Sequence, residues 1–427
     1  MNESLQHIAS CVAGYDPQAL PVASAQAFIA RLTQPVQGTE HLSVRQALGR
    51  VLARDLVSPI DVPAHDNAAM DGYALRGLDL ADDGPTQLPV VGTGLAGQQR
   101  AEPVPPGHCY RIMTGAVMPD GLDTVVPQEF TTMEADGRVQ IPVGVVRVGD
   151  NRRLRGEDLA LGEPALCAGR VLRPADLGLI ASLGMAEVPV RRRLRVAFFS
   201  TGDELRSVGE PLDEGCVYDS NRYTLWGMLQ RLGVDVIDMG VVRDDPQALR
   251  EAFATAAACA DAVITSGGVS VGEADYTKRI MSELGEVLFW RIAMRPGRPM
   301  AIGRIGDSGR QALLFGLPGN PVAVMVTFYA FVREALLAMS GAIVEPLPYL
   351  RAACANALRK KPGRTEYQRG IVSQRDDGTW EVRITGSQGS GILRSMSQAN
   401  GLVVLHHHQG HVAAGDLVDV IPFDGLI

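Results

Sequence analysis

Residues 194–205 read LRVAFFSTGDEL, and this stretch decides the architecture. A short apolar run ends abruptly at Ser200-Thr201-Gly202, as a buried strand does when it feeds a turn. Residues 222–233, RYTLWGMLQRLG, carry apolar positions at helical spacing and stop at Gly233. VDVIDMG (234–240) is a second strand, and Pro246 opens the helix PQALREAFATAAACA (246–260). DAVITSGG (261–268) is a third strand entering a glycine turn, and YTKRIMSELG (276–285) a third helix. Strands alternating with helices imply a doubly wound α/β domain, a parallel sheet with helices on both faces. Residues 312–341 add a strand, a turn and an apolar helix, with Asn320 as N-cap, Pro321 at the first helical position and Gly341 closing it. The charge-free run 312–332 is long enough to span a bilayer, but Pro318-Gly319-Asn320-Pro321 interrupts it, so it reads as core.

The flanks have a different texture. Residues 22–56 show helical spacing in SAQAFIARL and SVRQALGRVLARDL. Residues 57–150 alternate short β-rich runs with Gly/Pro turns, and PADLGLIASLG (174–184) is another short helix. After EPLPY (345–349) the chain returns to strands and turns. The expected organisation is a discontinuous helical linker domain (20–56 with 150–190), a β-rich inserted domain (57–149), the α/β domain (191–344) and a small C-terminal β domain (345–427).

The 427 residues are 46% apolar, enough for several cores, and the net charge of −8 argues against broad binding to nucleic acid or anionic membrane. Only Lys278, Lys360 and Lys361 are lysines among 40 basic residues, a pattern of codon bias. The six cysteines are too scattered for a CxxC metal or redox motif and read as free thiols in a reducing compartment. No secretory signal is visible at the N-terminus, so a cytoplasmic location is expected.

Chemistry concentrates at one predicted sheet edge. Ser200–Glu204 and Thr265–Ser270 are glycine turns at strand ends, where backbone amides and hydroxyls can meet an anion; each alone is also ordinary turn chemistry. Neither is a GxGxxG or Walker A loop. Glu204, Asp244 and Asp275 follow the three strands, and carboxylates beside a phosphate site suit Mg²⁺; each alone also suits a cap or a solvated loop. Arg291, Arg295 and Arg298 surround a Pro/Gly turn and could clamp an oxyanion or face solvent. His406, His407, His408 and His411 read as structural, since neighbours in a strand face opposite ways.

Ten strings occur in order along the chain: DNAAMDGYA, RIMTGA, RRRLRVAFFSTGDEL, VYDSNRY, VRDDP, SGGVSVGEADYTK, MRPGRPMAIG, GLPGNPV, GRTEYQRG and GSQGSGIL. Together they resemble the molybdopterin molybdenumtransferase family, to which MoeA and the gephyrin E domain belong, from about residue 20 to 425. The resemblance implies a MogA/MoaB-like α/β domain and insertion of molybdate into adenylylated molybdopterin, with Mg²⁺-dependent release of AMP. It further implies a homodimer whose active site is shared between subunits, and transient contact with a MogA-type adenylyltransferase and molybdoenzyme maturation proteins. Carried over by matching strings, the site residues are Asp71, Thr114 and Asp158 in the β-rich domain; Glu204, Asp244 and Asp275, the expected Mg²⁺ ligands; Ser266, Gly267 and Gly268 facing the nucleotide; Pro318 and Pro321 lining the pocket; and Arg369 and Ser390 from the C-terminal domain. The arginine cluster, with Arg369 and Ser390, is expected to receive molybdate. The family commonly has Lys where this chain has Arg291, Arg295 and Arg298, and many members have Ser where Ala323 stands.

Two other readings compete. An adenylyltransferase or nucleotide pyrophosphatase would use the same α/β domain, but the flanking domains are superfluous to it. A non-enzymatic scaffold, as gephyrin is, would bind the pterin without releasing AMP.

Overall fold

The computed structural model describes residues 4–10, 15–99, 102–269, 275–307 and 309–423; of Asp275 only the backbone is described. The α/β body contains β1 (Arg195–Thr201), α1 (Ser220–Arg231), β2 (Asp235–Val242), α2 (Pro246–Cys259), β3 (Ala262–Ser266), α3 (Asp275–Leu284), β4 (Gly285–Arg291), β5 (Pro299–Gly306), β6 (Gln311–Leu317) and α4 (Pro321–Met339). The sheet order is β2-β1-β3-β6-β5-β4. β1 runs parallel to β2 and β3, and β3 to β6, as the βαβ pattern requires. The sheet is nevertheless mixed, because β5 is antiparallel to both β6 and β4. No helix separates β4, β5 and β6, and short connections permit only antiparallel return.

Alternation along β1 divides the core. Val196 and Phe198 face a cluster with Ile264, Phe315 and the apolar sides of α1 and α4, while Ala197 and Phe199 face α2 and α3. Local caps agree with the sequence: the Asp219 carboxylate accepts from Arg222 N, and the Asp245 carboxylate accepts from Gln247 N and Ala248 N. Asn320 stands at the N-cap of α4 with extended backbone, but its side chain makes no capping bond. Residues 328–332 of α4 form a π turn. Two-thirds of α4 is buried, so its apolar length serves the core.

The first predicted helix forms, at Val22–Leu32, but its buried face joins the α/β core, where Phe28 meets Trp290 edge-on at 5.0 Å. The second does not. Residues 43–56 make one 3₁₀ turn (Val44–Ala47), turn at Gly49 with φ +72°, and then pair as short strands: Val51 with Val171, Leu52 with Val190, and Leu56–Val57 with Pro164–Leu166. Valine and leucine suit a strand as well as a helix, and the antiparallel partners at 164–190 decide the outcome. The predicted helix at 174–184 spans Pro174–Ser182 and buries Ile180 against Ala47 and Leu52.

The β-rich segment forms a six-stranded sheet in the order Thr124–Pro127, Gly72–Leu75, Cys109–Ile112, Thr86–Gly94, Arg138–Ile141, Thr132–Met133. The C-terminal strands close into a small barrel, since Thr365–Gln374 pairs with both Trp380–Ile384 and Gly401–Leu405. The two-residue strand Met294–Arg295, between β4 and β5, pairs in parallel with Thr365 and Glu366 and so joins this barrel. His406–His408 lie in a turn just past Gly401–Leu405, not in a strand. His406 Nε2 pairs with Asp419 at 2.7 Å, and His411 Nδ1 accepts from Lys360 N.

Candidate functional site

The carboxyl ends of β1, β2, β3 and β6 open into one cleft of about 670 Å³, roofed by the Arg295–Pro299 loop and a loop of the C-terminal barrel. Thr201, Gly202 and Glu204 come from the turn after β1, Asp244 from the end of β2, Ser266, Gly267 and Gly268 from the end of β3, and Pro318, Gly319 and Asn320 from the turn after β6. Arg295 and Arg298 face these turns, with Arg364, Gln388, Gly389 and Ser390 from the barrel. Strand ends of an open α/β sheet leave such a crevice by geometry, and the sequence fills it with small residues, two acids and three guanidinium groups.

The glycines are needed where they stand. Gly267 has φ +94°, and a Cβ there would lie 2.6 Å from the Thr201 carbonyl oxygen. Gly268 has φ +68°, and its Cβ would meet Thr277 Cγ2 at 2.8 Å. Two glycine turns are clasped by Asn221, whose Nδ2 donates to Ser266 Oγ (2.9 Å) and to the Gly319 carbonyl (2.6 Å). The carbonyl can only accept, so the amide orientation is set. Asn221 Oδ1 and Thr201 Oγ1 are buried on the cleft lining without a partner among the described residues, as donors and acceptors kept for a ligand would be.

Of the expected residues, the cleft gathers Glu204, Asp244, Ser266, Gly267, Gly268, Arg295, Arg298, Pro318 and Ser390. Pro321 does not line it; as first residue of α4 it starts the helix behind the turn. Arg291 does not line it either. It ends β4, exposed, with its backbone tied to Pro17 and Leu20. Arg369 is fully buried and off the lining. Its Nε donates to Ser395 Oγ, Nη1 to the Gln388 carbonyl, and Nη2 to the Ser387 and Gly389 carbonyls. Burial, with the charge of Arg295 adding, pulls it down to about 10. Its guanidinium therefore shapes the loop that carries Gln388 and Ser390 and presents no face to an oxyanion.

Asp71 and Thr114 sit on the β-rich body, Asp158 follows it in the stretch expected to belong to the linker, and none of the three lines the cleft of the same chain. Asp71 Oδ1 accepts from both Thr114 Oγ1 and Thr114 N at 2.7 Å. Those two donors hold its carboxyl below the usual carboxylate range. Asp158 is exposed, with its N–H donating to the Val62 carbonyl. The side chain of Asp275, and residues 270–274, lie outside the described residues.

No three His, Cys, Asp or Glu side chains among the described residues cluster closely enough to cage a metal. Glu204 and Asp244 nonetheless supply hard oxygen donors to one cleft, and Thr201 Oγ1 is an unpartnered oxygen beside them. That donor set fits Mg²⁺, which keeps waters and shares phosphate oxygens instead of filling an all-protein cage. Reading the sequence alone misses Asn221, Arg364 and Gln388, and places Thr201 only as one hydroxyl of a glycine turn. The signal for Asn221 was present: an amide one residue into a helix that starts beside two glycine turns.

Comparison with known families agrees with this architecture in all three parts. Residues 20–184 match the MoeA N-terminal region (domains I and II), residues 197–338 a probable molybdopterin binding domain, and residues 351–423 the MoeA C-terminal region (domain IV). A molybdopterin molybdenumtransferase of Haemophilus influenzae is 42% identical over 93% of this chain and 96% of its own. One of Nostoc sp. is 38% identical over 90% of this chain and 89% of its own. The crystal structure of a molybdopterin biosynthesis MoeA protein from Pyrococcus horikoshii superposes with a TM-score of 0.80 at 28% identity, covering 95% of this chain and 100% of that one. Matched over at least nine-tenths of its length by relatives of one kind, the chain belongs to the molybdopterin molybdenumtransferase (MoeA) family.

Proposed function

We propose that this protein is the molybdenumtransferase of molybdenum cofactor biosynthesis, inserting molybdate into adenylylated molybdopterin and releasing AMP. The observation that carries the reading is the single cleft that sets two glycine turns and two carboxylates against two arginines. The turns at Gly202 and Gly267–Gly268 suit the phosphoanhydride, whose oxygens accept from backbone amides and from Thr201 and Ser266 hydroxyls. Glu204 and Asp244, with Asp275, would hold Mg²⁺. Bound there, that ion would neutralise charge on the phosphoryl oxygens. Arg295 and Arg298, with Ser390, receive the molybdate oxyanion by bidentate, charge-assisted bonds. Arg364 adds a third guanidinium to that wall.

Asp71, Thr114 and Asp158 complete the site from the second subunit of a homodimer, each subunit lending its β-rich body to the other's cleft. The subunit divides into the linker, β-rich, α/β and C-terminal domains at about residues 57, 150, 191 and 345. A MogA-type adenylyltransferase supplies the substrate and molybdoenzyme maturation proteins take the product, all in the cytoplasm. The test is turnover: purified protein given adenylylated molybdopterin should release AMP only with molybdate and Mg²⁺ present. Binding of the pterin with no AMP at any molybdate or Mg²⁺ level would leave a scaffold and refute the enzyme reading.

A further inference from the structure

A second cavity, of about 340 Å³, lies between α4, the 344–349 linker and the C-terminal barrel. Its polar lining is Gln26, Tyr329, Glu334, Tyr349 and Tyr367, and the rest of the wall is apolar. Among the described residues no group donates a hydrogen bond to the Glu334 carboxylate, and none of the three tyrosine hydroxyls has a hydrogen-bond partner. None of these oxygens is sealed from the cavity either. Four oxygen-bearing side chains without a protein partner therefore border one half-open pocket, Tyr349 among them half-exposed. The charged neighbour of Glu334 is Arg333, which does not line the cavity. Burial pushes the Glu334 carboxyl up, against the opposing charge of Arg333.

The helix is distorted at the same place. The π turn at 328–332 puts Tyr329 and Ala330 in the wall, and the Ala330 carbonyl is taken up by Gln26 Nε2 at 3.0 Å. Such turns gather at functional sites because they re-aim side chains at some cost in helix stability.

The chemistry of the lining selects the occupant. A carboxylate repels anions. A purely apolar molecule would leave Glu334 desolvated and unpaired. A primary ammonium satisfies the carboxylate and hydroxyl oxygens with its N–H donors and is also attracted to aromatic walls. The volume admits roughly ten non-hydrogen atoms. We propose that this cavity is a binding site for a small free primary amine, with Glu334 as counter-ion and Tyr329, Tyr349 and Tyr367 as its aromatic and hydroxyl lining. The site is separate from the molybdenum cleft and does not depend on the function proposed for it.

The test uses the full chain and two probes of one shape, phenethylammonium and 2-phenylethanol, titrated by calorimetry. The cation should saturate in the low millimolar range or below and bind about tenfold tighter than the alcohol. Glu334→Gln should bring the cation to the alcohol's affinity while thermal midpoint and AMP release stay at wild-type values. Tyr367→Phe should weaken the cation severalfold without unfolding the barrel. Equal binding of the two probes, an unchanged Glu334→Gln, or no saturation by about 20 mM would each overturn the proposal.

Discussion

The three arginines of the cation loop share a sequence neighbourhood and not an environment. Arg295 and Arg298 line the cleft, while Arg291, exposed at the end of β4, does not. Arg295→Ala and Arg298→Ala should therefore raise the molybdate concentration for half-maximal AMP release by about tenfold or more, the worth of a charge-assisted pair, with nucleotide affinity little changed. Arg291→Ala is the internal control and should behave as wild type; three equal effects would mean that charge alone matters. Arg369 shows what spacing could not convey. Its string marked a functional arginine, yet only the fold reveals that the carbonyls of 387–389 claim the guanidinium. Asp261 makes a second residue-scale prediction. Burial raises its carboxyl, but the two-pronged bond from Arg192 (2.8 and 2.9 Å) and the Arg195 N–H outweigh this and leave it lowered. A lowered carboxyl contributes stability above the ordinary carboxylate range and loses it as pH falls through the folded value. Asp261→Asn should cost about 2–4 kcal/mol near pH 7, with the gap to wild type closing below about pH 4, read by denaturant melts across pH.

At the scale of elements, the βαβ core was legible because turns, caps and periodicity agreed. Pro246, Asp245 and Gly233 each sit where a helix begins or ends. The antiparallel β4–β5–β6 edge was not legible, since a strand's direction follows from the length of its connection and the sequence of each strand is equally apolar. The failed helix at 43–56 has the same origin: its partners lie more than a hundred residues away. The turn at Gly267 makes the element-level prediction. Gly267→Ala drives a methyl into the Thr201 carbonyl in a left-handed backbone, so the two glycine turns must part. AMP affinity should fall at least tenfold in equilibrium binding, with far-ultraviolet dichroism unchanged. Wild-type affinity in that variant would mean that the turn is not the nucleotide cradle.

The whole molecule poses the question of where Asp71, Thr114 and Asp158 act, since none of the three lines the cleft of its own chain. If the β-rich body reaches the partner's cleft, inactive Asp71→Asn and inactive Glu204→Gln subunits must complement after exchange. A mixed dimer then carries both lesions in one site and none in the other. Random exchange makes half the dimers mixed and half their sites intact, so about one quarter of wild-type AMP release should return. No recovery, once exchange is verified by native mass, would place the site within one subunit. No reading of one chain's periodicity could reveal this, because a half-site lent by a second subunit would arrive by symmetry and not by sequence.

The two-residue strand Met294–Arg295 carries a mechanical consequence. It is hydrogen-bonded in parallel to Thr365 and Glu366, so the loop bearing Arg295 is stitched to the barrel that bears Gln388 and Ser390. A barrel swinging aside to admit a bulky pterin would drag Arg295 outward along with Ser390. The oxyanion would lose both sides of its grip in the same stroke. If the substrates occupy the cleft as proposed and the pterin enters by that swing, admitting the organic substrate and holding the inorganic one would be alternatives of a single lever, and the pterin would have to enter before the oxyanion is held.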